Sequence, residues 1–528
     1  MATQSNRIVR PAAAATLSLG ATHASAASLG GGDTAWVATA TALVLFMSVP
    51  GLALFYGGMV RANAVVTLAL QCFAIACLVT VLWVVAGYSL AYGESLGVVG
   101  DLSRALYAGV DEGSVRGTIS ESLFATFQVT FAIIVPVLVV GALIERIRFP
   151  AVLLFAALFS LAVYAPVAHW VWGGGWLGRL GVLDYAGGLV VHATAGTAAL
   201  VVALAMGPRP GFPDALAPPH SLPLTVAGAA MLWVGWLGFN GGSAIGANAD
   251  AAMAMTVTHI AAAAGGLAWL LLEWWLAGKP KALGTVTGAI AGLATVTPTA
   301  GFIGPAAALV IGATGATVCL AAQRGLRRAF KLDDALDVVT VHLVGGALGT
   351  LGAGVFASTT LGLLGGEADI AILGQLRVQL IGVVATVGYT AAVTWAILAL
   401  VNAVFRERIG EETLDRGLDF SAHGERGYVF LAPRRPLPAD EAPRTGTRAT
   451  RNLKPWDAGM GAATEPYAEG DGASSAAGDA EDAFDDAEDA FDDAEDAFDD
   501  AEGALDDAEG AFDDAEDASD DADRKTND

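Results

Sequence analysis

The sequence predicts an all-α polytopic membrane protein, on three observations. Apolar types make up 54% of the 528 residues and charged types only 15%, whereas ordinary globular domains hold roughly 25% charged residues. The mean hydropathy is +0.55. Charge-poor apolar stretches recur along residues 34–408, most of them near the roughly 20 residues that a membrane-spanning helix needs. This composition disfavours a large soluble enzyme.

Eleven of these stretches are predicted to be transmembrane helices. The eighth is short and rich in Gly and Thr, so the sequence defines its ends least well. The approximate bounds of the eleven are 34–55, 66–90, 120–143, 149–168, 187–206, 221–239, 251–276, 282–297, 302–321, 335–357 and 376–404.

The basic residues of the loops predict the orientation. One set of alternate loops, with the residues after the last span, holds twelve bases, and the opposite set holds four. By the positive-inside rule the side with twelve is cytoplasmic, so we expect an extracellular N-terminus and a cytoplasmic C-terminus in the cell membrane. This orientation requires an odd number of spans. The twelve bases are Arg61, Arg146, Arg148, Arg209, Lys279, Lys281, Arg324, Arg327, Arg328, Lys331, Arg406 and Arg408, and the four are Arg104, Arg116, Arg179 and Arg377.

Changes in composition divide the chain into five segments. The N-terminal one is either a disordered arm or a signal peptide, because Arg7 and Arg10 precede a weak Ala/Leu run and then small residues. A stretch rich in Pro, Gly, Ala and Ser is typical of a disordered linker. The predicted division is 1–30 (N-terminal arm or signal peptide), 31–408 (membrane domain), 409–432 (cytoplasmic C-terminal segment), 433–479 (linker) and 480–528 (acidic low-complexity tail).

The acidic tail accounts for nearly all of the net charge of −25. From Glu481 a seven-residue unit repeats, with one strongly apolar residue in each unit, beginning at Phe484. A coiled coil needs two apolar positions per heptad, so self-repulsion favours disorder, or a helix that forms only in salt, over an oligomerising coil. An acidic and lysine-poor soluble part favours a high-salt cytoplasm, as in a halophilic archaeon.

Two histidines lie in predicted spans and share the same surroundings. An Asp lies eight residues before, and a Gly four residues after, both His192 and His342. Ionisable residues within the bilayer are costly and are candidates for function. In the predicted topology the two helices run in opposite directions, which indicates an inverted repeat of spans 1–5 and 6–10 with a site near the midplane. We expect the histidines to meet in a central pathway, although a single membrane histidine is often just a helix–helix hydrogen bond.

Other candidates for site chemistry are few. The three cysteines are scattered in apolar runs, with no metal or disulfide spacing. His169 and His220 lie near span ends and are interpreted as surface groups. The sequence offers no paired carboxylates in a plausible site, no metal-spaced ligands and no nucleophile motif, so we expect no enzyme activity, no metal and no cofactor. We also expect no nucleic-acid partner.

Several segments of the chain resemble the ammonium transporter (Amt/Mep/Rh) family. The resemblance runs in order along residues 34–430, and 416–428 (RGLDFSAHGERGY) is similar to the Amt branch. The other matching segments are LFYGGMVR (54–61), FQVTF (127–131), GALIERIRF (141–149), HWVWGGG (169–175), the stretch 184–196, GWLGFNGGS (235–243), TPTAG (297–301) and the stretch 337–342.

The resemblance implies roles for particular residues. By it, Phe131, Trp172 and Ser243 form an outer ammonium-binding site, Phe131 and Phe239 stack as a gate below that site, and His192 and His342 line a narrow pore.

It also implies supporting residues and partners. Asp184 would support the outer site from within the protein, while Trp236, Gln128, Thr297 and Asp337 match positions near the pore. The family is homotrimeric, with one pore per subunit, and the resemblance suggests a PII-type signal protein at the cytoplasmic face. Leu237 departs from the Phe expected there in many members.

The chemistry of these residue types agrees with the resemblance. Aromatic faces attract a small cation by roughly 0.5–2 kcal/mol, and a Ser hydroxyl accepts one N–H bond. Burying an unpaired ion is estimated to cost tens of kcal/mol, so ammonium is expected to pass as ammonia, with or without its proton. Histidine titrates near neutral pH and can shuttle that proton.

Ammonium transport has two alternatives. An ammonium sensor of the same fold would ordinarily have a recognisable signalling domain, whereas this tail is of low complexity. A transporter of organic solutes would need charged ligands in the spans, and few are present. The predicted substrate is therefore ammonium or ammonia, with methylammonium as a further candidate.

Overall fold

The structure is a computed structural model of the 528-residue chain, and it describes residues 29–213, 216–366, 368–405 and 408–428. The predictions for the linker, the acidic tail and nearly all of the N-terminal arm lie outside these residues. The described part is almost wholly helical. Its only strands are β1 (Val115–Arg116) and β2 (Ile119–Ser120), which pair antiparallel in the loop before the third helix.

Thirteen helices, named α1 to α13, account for most of the described residues. Helix α4 contains an irregular turn at 172–175. The bounds are α1 Gly31–Met59, α2 Val65–Tyr92, α3 Glu121–Leu143, α4 Phe149–Leu180, α5 Gly188–Met206, α6 Leu222–Gly242, α7 Ala249–Ala277, α8 Ala282–Val296, α9 Pro305–Ala329, α10 Val339–Phe356, α11 Ile372–Phe405, α12 Glu411–Arg416 and α13 Leu418–His423.

Ten of these helices are long and apolar enough to cross a membrane. The fold class is confirmed as a mostly helical, multi-span membrane protein. The predicted eighth span is α8, which has 15 residues and is therefore about 22 Å long, shorter than the roughly 30 Å of a bilayer core. It packs between α7 and α9 with most of its residues buried. The count of eleven spans and their orientation stay predictions.

Five segments inside the helices have π-helical hydrogen bonding. They are Met47–Gly51, Trp83–Gly87, Ser160–Tyr164, Gly188–Ala193 and Val339–Val344. A π segment holds an extra residue within an α-helix and is frequent at functional sites. The last two segments open α5 and α10, and they contain His192 and His342.

The segment after α11 packs against the ends of the membrane helices. Asp419 accepts hydrogen bonds from the amides of Val66 and Thr67, at 3.2 and 2.7 Å, and from the Thr67 hydroxyl at 2.8 Å. The first amides of a helix lack partners within the helix, so Asp419 caps the start of α2. His220, on the loop before α6, bonds to the Tyr428 hydroxyl at 2.9 Å. Residues 411–428 therefore form a docked segment.

Candidate functional site

The two predicted pore histidines lie against each other in the interior of the helix bundle. Their Nδ1 atoms are 3.2 Å apart, within hydrogen-bonding distance, and their rings lie 5.2 Å apart and nearly parallel. His192 is 1% exposed and His342 is 4% exposed. His192 Nε2 is buried and makes no hydrogen bond within the described part of the chain.

Two glycines let the helices of these histidines approach closely. A Cβ added to Gly196 would overlap the backbone nitrogen of Leu343, the residue after His342. A Cβ added to Gly346 would lie 2.7 Å from the Cβ of His192. Each glycine, one turn after its own histidine, thus makes room for the histidine segment of the other helix. The shared sequence context of the two histidines has a direct steric reason.

Asp184 caps the start of the His192 helix. Its carboxylate accepts hydrogen bonds of 2.5–3.2 Å from four successive backbone amides, those of residues 187–190. These are the amides that the geometry of a helix leaves without partners, and a carboxylate there is further stabilised by the helix dipole. Both carboxylate oxygens of Asp184 are occupied by this capping.

Asp334 has the corresponding position before the His342 helix. It accepts hydrogen bonds from the amides of Val339 and Thr340, at 3.1 and 2.9 Å, and from the Thr340 hydroxyl at 3.1 Å. The two half-sites are therefore built alike, as the predicted inverted repeat requires.

Aromatic rings cover the histidines on one side. The rings of Phe131 and Phe239 lie 4.4 Å apart at 38°, and the Phe239 ring lies 6.2 Å from His192 and nearly parallel to it. Phe131 also meets Trp172 edge-on at 5.8 Å. Phe131 and Phe239 are almost fully buried, and the Phe239 ring covers the His192 ring.

Trp172 and Ser243 lie farther out than the two phenylalanines. Both side chains are partly exposed. The Trp172 Nε1–H donates to the Asp184 carbonyl at 2.9 Å, and the Ser243 hydroxyl donates to the Phe239 carbonyl at 2.8 Å. The serine oxygen keeps its lone pairs available as acceptors. The Trp172 ring therefore contacts the Phe131 ring, and Ser243 lies one turn beyond Phe239.

Comparison with known proteins identifies the family of this fold and site. The profile of the Ammonium Transporter Family matches residues 35–428. The ammonium transporter of Bacillus subtilis is 42% identical over 393 residues, which are 73% of this chain and 96% of that protein. The ammonium transporter Amt1 of Archaeoglobus fulgidus is 41% identical over 403 residues, 75% of this chain and 99% of that protein. This chain belongs to the ammonium transporter family.

Solved structures agree with this assignment. The crystal structure of Saccharomyces cerevisiae Mep2 is 34% identical, with a TM-score of 0.67, and the match covers 73% of this chain and 89% of that one. A structure described as a sensor Amt protein is 27% identical, with a TM-score of 0.69, and the match covers 74% and 98%. Family membership confirms that the chain is a multi-pass membrane transporter and not an enzyme.

On the far side of the histidines the transporter has a narrow internal cavity of about 20 Å³. That volume is enough for one water-sized molecule. Its wall is mostly apolar and extends from His342 and Trp236 to Asp337, whose backbone has a φ of 58°. Asp337 is one of the few polar residues of this wall, together with Tyr56, Thr287 and His342.

The remaining predicted residues of the ammonium transporter lie around this path. Trp236 packs 5.4 Å from the His192 ring, and its Nε1–H donates to the Thr297 hydroxyl at 2.8 Å. Gln128 is buried on α3, three residues before Phe131, and its Oε1 has no hydrogen-bond partner among the described residues.

A buried ionic cluster was missed by the sequence analysis. Arg146 is fully buried and pairs with Asp333 at 2.8 Å, and Asp333 also pairs with Arg209 at 3.0 Å. Arg209 and Arg61 lie 3.6 and 3.8 Å from Glu145. The signal was present, since Arg146 lies in a family-like segment and Asp333 adjoins Asp334. The sequence analysis counted Arg146 only among the basic loop residues that predict the orientation.

Burial and neighbouring charges shift the pKa values of two residues of the ionic cluster. Burial lowers the pKa of Arg146 to about 10, with a further contribution from the positive charges of Arg209 and Arg408, while Asp333 opposes the shift. Burial raises the pKa of Asp333, but hydrogen bonding and charge from Arg209 and Arg146 outweigh it, so that the net pKa is lowered. Asp333 is therefore an ionised bridge between loops.

One smaller prediction was wrong. His169 is not a surface group, because it is fully buried. Its ring nitrogens bond to the Ala91 carbonyl at 3.0 Å and to the Ser95 hydroxyl at 2.9 Å. This histidine holds the end of α2 against α4. Its neighbours in space are about 75 residues away in the sequence, so proximity to a span end gave no sign of them.

Proposed function

We propose that this transporter recruits ammonium at an outer aromatic site, removes its proton, and conducts ammonia past His192 and His342. The observation that supports this most strongly is the approach of the two Nδ1 atoms to 3.2 Å in a buried, mostly apolar environment. Two rings in such contact share one proton between them. The outer nitrogen of each ring then has a defined role as donor or acceptor.

The outer site binds the cation before it loses its proton. The indole face of Trp172 and the ring of Phe131 attract a cation, and the Ser243 hydroxyl oxygen accepts one of its N–H groups. Trp172 and Ser243, which are partly exposed, lie on the outer side of the Phe131–Phe239 contact in the proposed orientation, and Phe131 joins the two sites. The contact between these two rings must open for passage, because both are almost fully buried.

The narrow part of the pore favours the neutral molecule. Burying an unpaired ion among apolar side chains is estimated to cost tens of kcal/mol, whereas ammonia has no charge to desolvate. Ammonia can donate to the buried Nε2 of His192, which has no partner among the described residues. The histidine pair offers a path for the released proton, and Asp337 lies where the substrate leaves.

Replacing each histidine in turn tests this mechanism. His192→Ala and His342→Ala are expected to reduce ammonium-dependent current and uptake in proteoliposomes at least tenfold, because the relay is broken while the wall stays apolar. His192→Asp and His342→Asp are expected to admit potassium, because a fixed carboxylate stabilises a bare cation. His259→Ala, which removes an exposed histidine on α7, is the matched control and should behave like the parent protein.

One result of these experiments would contradict the mechanism. If both aspartate variants conduct ammonium at the parent rate and still exclude potassium, the histidines only pack the helices and the mechanism is wrong. That outcome would leave the assignment of the chain as an ammonium transporter in place.

A sensor function is the alternative, since the chain is similar to a structure described as a sensor Amt protein. The docked segment 411–428 gives the cytoplasmic end an ordered surface, with Asp419 fixed to the start of α2. We assign this surface to regulation by a PII-type signal protein rather than to signalling by the chain itself. Pull-down of PII proteins from the same cell, across nucleotide and 2-oxoglutarate conditions, should recover one and should fail for Asp419→Ala.

We also propose a homotrimer with eleven spans, an extracellular N-terminus and one pore in each subunit. The ratio of twelve bases to four in alternate loops supports the orientation. Light scattering of the purified protein measures the number of subunits, and labelling of single cysteines at 101–116 and 325–331 from outside measures the orientation; labelling at 325–331 but not at 101–116 would show that the orientation is inverted.

A further inference from the structure

The backbone around Ser243 leaves α6 in a short turn before α7 begins. We call residues 243–248 the outer turn, since α6 ends at Gly242 and Asn248 caps the start of α7. The last carbonyls of a helix lack partners within that helix, so α6 alone does not fix the direction of this turn. Ile245 within it has a φ of 53°, a left-handed conformation that is uncommon for a β-branched residue. The outer turn therefore depends on contacts from other segments.

The first turns of α1 supply these contacts. Asp33 Oδ1 accepts a hydrogen bond from the Ala247 amide at 2.7 Å. Trp36 Nε1–H donates to the Gly241 carbonyl at 3.1 Å. One bond lies before Ser243 in the sequence and the other lies after it. Two side chains on one face of α1, three residues apart, thus hold the backbone on both sides of Ser243.

The Asp33 carboxylate also contacts a third segment. Its Oδ2 accepts a hydrogen bond from the Thr118 hydroxyl at 2.5 Å, and the Gly30 amide donates to the Thr118 carbonyl at 2.8 Å. Thr118 lies in the hairpin of β1 and β2 that leads into α3, the helix of Phe131. Asp33 therefore connects the hairpin before α3 to the outer turn after α6.

We propose that Asp33 is a positioning residue of the outer ammonium site, where it fixes Ser243 relative to Phe131 and Trp172. This inference rests on the proposed function, since it requires Ser243 to accept an N–H group of ammonium. One carboxylate oxygen of Asp33 binds the Ala247 amide and the other binds the Thr118 hydroxyl, so the side chain acts by holding backbone. Its loss weakens the binding of ammonium and leaves the passage of bound ammonium unchanged.

The test measures the rate of ammonium transport against ammonium concentration, with the full-length protein in proteoliposomes. Asp33→Ala is expected to raise the half-saturating concentration about fivefold, the order of one or two lost hydrogen bonds, at an unchanged maximal rate. Asp33→Asn is expected to keep most of the parent affinity, because its amide oxygen accepts from Ala247 and its amide nitrogen donates to the Thr118 hydroxyl. A purely structural defect would lower the maximal rate and leave the half-saturating concentration as it is, which would overturn the proposal.

Asp250→Ala is the matched control for charge. Asp250 is an exposed aspartate in the first turn of α7, next to the outer turn, and it makes no hydrogen bond among the described residues. This variant should transport ammonium like the parent protein. Equal increases in the half-saturating concentration for Asp33→Ala, Asp33→Asn and Asp250→Ala would overturn the proposal, because general attraction of the cation by negative charge would then explain the effect.

Ser243→Ala separates this inference from the proposed function. It should raise the half-saturating concentration, and adding Asp33→Ala to it should cause little further change, because residues that act through one another are not additive. If Ser243→Ala raises this concentration and Asp33→Ala does not, the outer site stands and the positioning role is wrong. If Ser243→Ala has no effect, the outer site itself is wrong and the inference fails with it.

Trp36→Phe tests the same support of Ser243 even if Asp33→Ala fails to fold. It keeps an aromatic ring and removes only the donor to the Gly241 carbonyl. We expect a rise of about threefold in the half-saturating concentration, the order of one hydrogen bond. An unchanged value in a Trp36→Phe protein would overturn the proposal, because α1 would then not position Ser243.

Discussion

The two histidine half-sites share one scaffold and differ at the ends where their helices begin. Before the His192 helix, Asp184 binds four backbone amides, and its carbonyl accepts the Trp172 indole N–H. Before the His342 helix, Asp334 binds two amides and a hydroxyl, and the preceding residue belongs to a buried cluster with two arginines. The first end has an aromatic contact beside its cap, and the second has ion pairs.

This difference shows which features the two halves of the repeat share and in which features they differ. The crossing of the helices needs the Asp cap, the π-helical histidine segment and the glycine one turn later, and both halves have all three. The residues beyond the caps do not touch the crossing. One half therefore has aromatic rings beyond its cap, and the other has charges that connect loops to one another.

The largest effect is expected from blocking the crossing itself. Gly196→Leu and Gly346→Leu each place a side chain where the other histidine helix passes, and overpacking against backbone cannot be relieved by rotamer changes. We expect neither variant to yield monodisperse protein in size-exclusion chromatography. Gly388→Leu, at a helical glycine of α11 with open space around it, is the control and should purify normally. A folded and active Gly346→Leu protein would show that the close crossing is not required.

A smaller and unequal effect is expected from removing the two caps. Asp184→Ala leaves four buried amides without an acceptor and should cost at least about 4 kcal/mol in the free energy of unfolding, since each unmet buried group costs about 1–3 kcal/mol. Asp334→Ala leaves two amides and should cost at least about 2 kcal/mol. Unfolding of the purified variants in SDS measures both, with Asp369→Ala at an exposed position as the control. Equal losses at the two caps would remove the asymmetry claimed above.

The smallest effect is the response of the ionic end to acid. The folded-state pKa of Asp333 lies below its usual value of 3.8, so its ion pairs stabilise the protein above about pH 4 and are lost as the pH falls below that. Each unit of depression corresponds to about 1.4 kcal/mol. Asp333→Asn, although less stable at neutral pH, should show a flatter decline in melting temperature between pH 5 and pH 3 than the parent protein. Parallel curves for the two proteins would contradict this.

The positions of the helices were predictable because they depend on local composition. Each of the eleven predicted stretches coincides with a helix, and most ends agree within a few residues. The predicted fourth span ends at 168, whereas helical structure continues through an irregular turn to Leu180, because the Gly-rich stretch that ends the apolar run does not end the element. Residue counting could not settle whether α8 crosses the membrane, because its length lies below that of a usual span.

The candidate site was predictable only where sequence context repeats. The Asp and Gly around each histidine indicated that the two would meet, and their Nδ1 atoms are in contact. For Arg146 the sequence held a weaker signal, its place in a family-like segment, and the sign of a loop charge indicates a side of the membrane and not a partner. Its partner Asp333 is 187 residues away, and only the folded chain brings the two together.

Both histidines lie in π-helical segments. The direction in which the later residues of each helix point therefore depends on the number of residues in that segment. In an α-helix each residue advances the chain by about 100° around the axis, and the extra residue in Gly188–Ala193 or Val339–Val344 sets the direction of everything that follows it. Deleting a single residue from either segment would keep every pore residue in the sequence. The part of the helix beyond the deletion would nevertheless turn by about a quarter of a revolution, and its glycine would no longer face the opposing helix.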